Sequence, residues 1–332
     1  LTMRPVSYFL GATDAMIDDC VLYGRIVTGF TFAFMLQNVF QSFFIAAEKP
    51  RLGLIVTVAA GVTNMVLDAL FIAVFNWGVA GAAIATGLSQ CVGGVLPLIY
   101  FLRPNDSLLR MRPTSLRLCP ILQACGNGSS ELMSNISSSL VGMLYNFQLM
   151  HLIGEDGVSA YGVLMYVQFI FVAIFIGYSI GCAPVVSFHF GAQNHSELKS
   201  LLRKSTLLMA SGGVLLTIAA RLLAAPLARL FVGYDAGLFE LTSHAFRLFS
   251  WSFLLAGFNI FASGFFTALN NGAISAAISF LRTLVFQTSS VLILPLLLGV
   301  DGIWWAITVA EIFAFLISLM FLYLKRDKYH YL

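Results

Sequence analysis

A chain of 332 residues with 59% apolar, 14% aromatic and only 10% charged side chains is too apolar for a water-soluble domain, in which about a quarter of residues are charged. Its net charge of +3 says nothing about nucleic acid, because the basic residues are split among short loops instead of forming one patch. Five cysteines, Cys20, Cys91, Cys119, Cys125 and Cys182, have neither metal nor disulfide spacing and read as small apolar residues.

In chain order, nine apolar segments reach the roughly 20 residues that cross a bilayer as helix: 20–46, 51–75, 79–102, 127–153, 157–189, 201–231, 239–270, 273–298 and 302–325. The class is an all-α polytopic membrane protein. Pro97, Pro184 and Pro295 lie inside apolar segments and are the expected kink points. Basic residues follow the first, third, fifth and ninth segments: Lys49 and Arg51; Arg103, Arg110, Arg112 and Arg117; Lys199, Arg203 and Lys204; Lys325, Arg326 and Lys328. The opposite loops carry Asp14, Asp18, Asp19, Glu155, Asp156, Asp235, Glu240 and Asp301. The positive-inside rule predicts a multi-pass protein of the cell membrane with a cytoplasmic C-terminus.

The chain also repeats itself. Tyr23-Gly24-Arg25, Phe43-Phe44 and Pro50 are followed 222 positions later by Phe246-Arg247, Phe265-Phe266 and Gly272. Gly78-Val79-Ala80-Gly81 is echoed by Gly299-Val300-Asp301-Gly302 after a slip of one, and Pro5, Gly11 and Asp14 by Pro226, Gly233 and Asp235. A duplicated helical unit suggests a transporter. The Arg-rich connection 103–118, with Pro104 and Pro113, predicts a boundary that leaves residues 1–110 as a partial first lobe of three helices and 111–332 as a complete six-helix lobe. By symmetry, three further helices are expected ahead of Leu1, in a two-lobe arrangement of parallel repeats.

Several residues resemble one family. Tyr23-Gly24-Arg25-Ile26, Ala46-Ala47-Glu48-Lys49-Pro50-Arg51, Asn64-Met65-Val66-Leu67-Asp68, Gly78 to Thr86, Tyr145-Asn146-Phe147-Gln148 and Gly191-Ala192-Gln193 look like the multidrug and toxic compound extrusion (MATE) transporters. The resemblance implies a twelve-helix exporter whose two lobes alternate between inward-open and outward-open states, expelling organic cations and other amphipathic compounds in exchange for Na⁺ or H⁺. It also implies a coupling-cation site in the first lobe, matched here by Asn64, Asp68 and Thr86, with a further acid expected ahead of Leu1.

The residues point the same way. Asn64 and Asp68, four apart, share one helix face at about 6 Å. Asp68 lies within an apolar segment, where an unpaired carboxylate costs several kcal/mol. A carboxylate, an amide oxygen and a hydroxyl can hold Na⁺, or the carboxyl can take up a proton. A plain hydrogen-bonded helix contact is the structural alternative. At offset 222, Phe286 and Ser290 stand opposite Asn64 and Asp68, so coupling is expected in one lobe.

Arg282 and Glu311 fall near the midplane of their segments and can form an intramembrane ion pair, either as a staple or as a proton relay. Glu131 reads as an acid at a helix N-terminus. A substrate cavity is expected from Gln37, Asn38, Gln41, Asn146, Gln148, Gln168 and Asn259, with Met143, Met165, Tyr161, Tyr166 and Tyr178 nearby. Offset 222 sets Gln37 opposite Asn259 across the lobes; interhelical amide bonds explain any one of these residues equally well. Gly177 to Gly181 reads as a small-xxx-small contact between helices of one lobe. The sequons at Asn127, Asn135 and Asn194 fall at the cytoplasmic face or in the bilayer, and the five histidines lack ligand spacing.

The expected partners are small-molecule drugs or organic cations and the lipid bilayer, for a monomer without nucleic acid or a cofactor beyond its coupling ion. Without a Walker sequence, ATP does not drive the cycle directly. A lipid or lipid-linked oligosaccharide flippase of the same superfamily would want a more basic cavity. An intramembrane enzyme would need converging nucleophile, base or metal ligands, and no HExxH occurs.

Overall fold

The computed structural model describes residues 3–9, 14, 17–105, 107, 109, 110, 115 and 117–331. Leu1, Gly11, Arg112 and Pro113, used in the repeat and boundary readings, lie outside the described residues. So does residue 111, beside the boundary expected after 110. Two compact units emerge, Leu1–Leu116 and Arg117–Leu332.

The first unit comprises α1 (Met3–Phe9), α2 (Ile17–Gly29), α3 (Thr31–Ala46), α4 (Pro50–Asp68, continued by a π-helical turn Ala69–Val74) and α5 (Gly78–Leu102). Helix α5 packs against α2, α3 and α4. Its small residues permit this. A Cβ on Gly87 would come within 2.1 Å of the Phe30 ring, one on Gly93 within 2.6 Å of the Gln37 side chain, and one on Gly94 within 2.9 Å of the Ala33 carbonyl. With lipid as apolar as leucine, such close packing holds helices together where water would otherwise drive them. At the other end, Phe40 and Phe101 stack at 5.6 Å beside Phe44.

The second unit comprises α6 (Leu118–Leu152), α7 (Glu155–Gly191), α8 (His195–Val232), α9 (Ala236–Phe249), α10 (Phe253–Ala268), α11 (Gly272–Phe280), α12 (Thr288–Leu298), α13 (Val300–Leu324) and α14 (Arg326–Tyr329). A 3-10 turn joins α9 to α10, and a π-helical turn, Leu281–Gln287, joins α11 to α12. Helix α10 sits in the middle, against α7, α8, α11 and α13. The carbonyl of Leu254 approaches Gly213, and the Phe175 ring covers Gly257. Gly177 and Gly181 do not serve the α7–α10 contact, because a Cβ on either meets nothing within 4 Å. The opposite face does, through Ser179 against Gly264 and a hydrogen bond from Ser187 Oγ to the Ala268 carbonyl (2.8 Å). The chain end tucks under this unit: buried Tyr331 donates to the Leu322 carbonyl (3.0 Å), and burial pushes its phenol pKa up.

Every predicted span falls on helix. Among the described residues seven helices are long and apolar enough to cross a membrane, and eight if the pair α2 and α3, bent by 50°, counts as one span. Helix α6 has 35 residues but is diluted by Asn127-Gly128-Ser129 and Ser137-Ser138-Ser139. Large side chains such as Phe169 (74% exposed) and Phe188 (70%) face outward, a surface suited to hydrocarbon and not to water. Helices α5, α7 and α12 run through Pro97, Pro184 and Pro295, whereas the π-helical turns follow Asp68 and enclose Arg282.

Two motifs gain physical explanations. Three turns share one design: Glu48, Gln193 and Asn270 adopt φ of 57°, 55° and 56°, and the next backbone N–H returns to the carbonyl of Phe44, His189 and Phe266 respectively. These left-handed caps stop one helix, and Pro50, Asn194 or Asn271 starts the next. In the repeated Gly-Val-x-Gly, the first glycine (Gly78, φ 54°; Gly299, φ 60°) turns the chain. The second lets the preceding segment approach: a Cβ on Gly81 would lie 2.9 Å from Phe71 Cβ, and one on Gly302 2.3 Å from the Leu294 carbonyl.

Candidate functional site

Asn64 and Asp68 occupy the last turns of α4, both half-buried, and Asp68 is the residue at which α-helix gives way to the π-helical turn. Asp68 Oδ1 and Asn64 Nδ2 are buried and have no hydrogen-bond partner among the described residues. That is costly: an unsatisfied buried polar atom forfeits about 1–3 kcal/mol, more when charged. π-helical turns recur at functional positions.

Thr86 stands half-buried on α5, which packs against α4. Phe71 lies beside Gly81, and Gly53, Thr57 and Gly93 line one small pocket, so this antiparallel hairpin sets Asn64 level with residues 86–88. Gln90, one turn further along α5, has a third orphaned atom, its buried Oε1. Sequence reasoning missed Gln90. The available signal was its i, i+4 spacing from Thr86, which puts both on one helix face. Asn64 and Asp68 on one face of α4, each with an unmatched atom, and Thr86 level with Asn64 on α5 offer groups suited to a small hard cation. Rotation of the Asn64 amide presents its oxygen in place of nitrogen.

In the second unit Arg282 and Glu311 meet in a bidentate pair, with Nη2 2.6 Å from Oε1 and Nε 2.9 Å from Oε1 and 3.1 Å from Oε2. Asn259 donates Nδ2 to Glu311 Oε2 (2.7 Å) and to the Glu311 carbonyl (3.0 Å). Glu311 is thus satisfied from both sides while 5% exposed. Asn259, fully buried with its amide committed to Glu311, does not line an open cavity, contrary to the sequence expectation. A buried amide bonds a nearby carboxylate before it faces a distant lobe.

The remaining amides scatter. Gln37 lies over Gly93 and, with Gln41 and Thr57, lines a pocket of about 10 Å³, room for one water. Asn38 donates to its own helix at the Phe34 carbonyl (2.9 Å). Asn146 is exposed and Gln148 half-buried, and Gln168 carries a buried Oε1 without partner. Of the expected aromatics, Tyr161 stacks on Tyr145 at 4.8 Å, Tyr178 shares a hydrogen bond with Ser205 (2.8 Å), and Tyr166 is exposed. Glu131 is not at a helix start: α6 begins at Leu118, more than three turns earlier, beyond the reach of the terminal dipole. Among the described residues no three His, Cys, Asp or Glu side chains group as metal ligands.

These features define a polytopic helical membrane protein, and comparison with known proteins shows what it is similar to. Residues 132–291 match the MatE family model. Multidrug export protein MepA of Staphylococcus saprophyticus is 23% identical over 330 residues, covering 97% of this chain and 71% of MepA. MepA of Staphylococcus aureus is 23% identical over 298 residues, covering 89% of this chain and 64% of that protein. Among solved structures, a MATE crystal structure in complex with MaL6 aligns with a TM-score of 0.91 at 20% identity, over 99% of this chain and 75% of that one. The outward-facing conformation of a multidrug resistance MATE transporter aligns with a TM-score of 0.90 at 20% identity, over 98% and 74%. Over nearly its whole length the chain is similar to multidrug and toxic compound extrusion transporters.

Proposed function

We propose that the protein is a secondary active multidrug exporter that exchanges amphipathic or cationic organic compounds for Na⁺ or H⁺ by alternating access. Support comes from MepA relatives along 89–97% of the chain and from the fold. The observation that carries the coupling step is the pair of orphaned, buried atoms Asp68 Oδ1 and Asn64 Nδ2 on one face of α4.

An ionised carboxylate at this depth is unfavourable until a cation neutralises it. Uptake of Na⁺ or a proton at Asp68, with oxygens from Asn64 and Thr86, therefore lowers the energy of whichever state encloses the site. Its release raises it again. A cation can shift the equilibrium between two states by its difference in affinity for them and no more, and a site this incomplete on its own has that difference to give. Substrates are small organic molecules, with Gln37, Gln41, Asn146, Gln148 and Gln168 as candidate contacts. The basic loops set the C-terminus in the cytoplasm. Arg282 and Glu311, mutually saturated, staple the second unit.

The test is Asp68→Asn in proteoliposomes loaded with a fluorescent organic cation. Efflux driven by a Na⁺ or H⁺ gradient should fall at least about tenfold at equal protein incorporation, the loss of roughly one ion contact. Gradient-driven efflux at the wild-type rate would remove Asp68 from the coupling step.

A further inference from the structure

At the basic end of the first unit, where α3 turns into α4 and α5 leaves the bilayer, Lys49, Leu52, Leu96, Ile99, Tyr100 and Arg103 bound a pocket of about 470 Å³. That volume lies within the range of about 300–1,000 Å³ taken by small ligands. Neither Lys49 nor Arg103 makes an ion pair or side-chain hydrogen bond among the described residues. Lys49 is held by the turn itself, half-buried, with its backbone N–H on the Phe44 carbonyl (2.8 Å). Arg103 is held by Asn105, which donates Nδ2 to the Tyr100 and Arg103 carbonyls (3.0 and 3.1 Å) and accepts the Ser107 backbone N–H (2.9 Å). Two cations unpaired among the described residues therefore sit on fixed backbone at the pocket rim.

The wall has the opposite chemistry. Leu96 and Ile99 are 47% and 40% exposed and continue into Leu102 (60%) along the outer surface of α5. A soluble anion would use the cations and leave this wall idle; an uncharged lipid would use the wall and leave the cations idle. A ligand with an anionic head and hydrocarbon tails satisfies both.

We propose that this pocket is a binding site for an anionic phospholipid of the cytoplasmic leaflet, its phosphate between Lys49 and Arg103 and one acyl chain along Leu96, Ile99 and Leu102. Basic pockets beside transmembrane helices on that leaflet hold lipid headgroups, and each cation contributes a few-fold in affinity. Because α4 and α5 also carry Asp68, Asn64, Thr86 and Gln90, the bound lipid buttresses the hairpin that supports the cation site.

Native mass spectrometry of the purified protein titrated with phosphatidylglycerol tests this. Lys49→Gln or Arg103→Gln should weaken retention about fivefold and the double variant about thirtyfold, while phosphatidylcholine retention stays unchanged. Lys199→Gln, near the start of α8 in the second unit and outside the pocket, should change retention less than twofold by the same reasoning. Charge-keeping exchanges, Lys49→Arg with Arg103→Lys, should retain the lipid and serve if the glutamine variants fold poorly. Equal loss in Lys199→Gln, wild-type retention in the double variant, loss in the charge-keeping pair, or displacement of the lipid by millimolar inorganic phosphate would each overturn the proposal.

Discussion

Helices α3 to α5 of the first unit and α10 to α13 of the second share one skeleton and bury opposite electrostatics. The same 222-residue offset carries Thr31–Ala46 onto Phe253–Ala268, Gly78–Leu102 onto Val300–Leu324, and the left-handed cap Glu48 onto Asn270. Thr86 and Thr308 match at this offset, and the buried acids do not. Gln37 lies over Gly93, whereas its counterpart Asn259 is locked onto Glu311. Asp68 has an orphaned oxygen, and its counterpart is Ser290; Glu311 has two donors, and its counterpart is Ser89. A duplicated scaffold thus holds one acid that is already satisfied and one that is not. An acid already satisfied by a guanidinium and an amide has little affinity left for a mobile cation, so the proposed coupling role belongs to the first unit and the proposed stapling role to the second.

The sharpest way to break that contrast is to unpair the satisfied acid. Glu311→Ala leaves the half-buried Arg282 without a counter-charge and should cost about 3 kcal/mol, read as a large drop in thermal transition of the purified protein. The double change Arg282→Met with Glu311→Leu should recover most of that loss; if it does not, the pair is more than a staple. Next in size is Gly302→Ala, whose new Cβ would press on the Leu294 carbonyl and should cost about 1–3 kcal/mol. Asp68→Asn sharpens the comparison from the other side. Removing an unpaired buried charge should leave thermal stability equal to or slightly above wild type, within about 1 kcal/mol, while coupled efflux collapses. A loss of stability like that of Glu311→Ala would mean that Asp68 is a structural acid too. Smallest is Gly177→Ala, with open space around its Cβ, which should change stability by less than about 0.5 kcal/mol.

Much of this was visible in the residues. Apolar runs located every span, since hydrocarbon tolerates backbone polar groups only when helices satisfy them. The offset of 222 was legible because Gly-Val-x-Gly and the helix caps are demanded by local backbone geometry, which leaves its mark on neighbouring residues. Asn64 and Asp68 could be paired from one helix period. The fate of Asn259 could not, because its amide chooses between carboxylates and cavities according to which helix stands beside it. Gln90 was missed because a lone amide on an apolar helix gains meaning from its missing partner. Gly177 and Gly181 matched a packing pattern, yet α7 turns its other face to α10.

Residues taken one helix at a time were therefore enough for membrane class, span positions, the internal repeat and the acid at Asp68, because each depends on a short periodicity or on the cost of charge in hydrocarbon. Which polar atoms are paired and which are left waiting was settled by the packing of helices against one another. A hydrogen bond needs its donor and acceptor within about 3 Å, and no local pattern sets that distance for groups 52 residues apart, as Asn259 and Glu311 are.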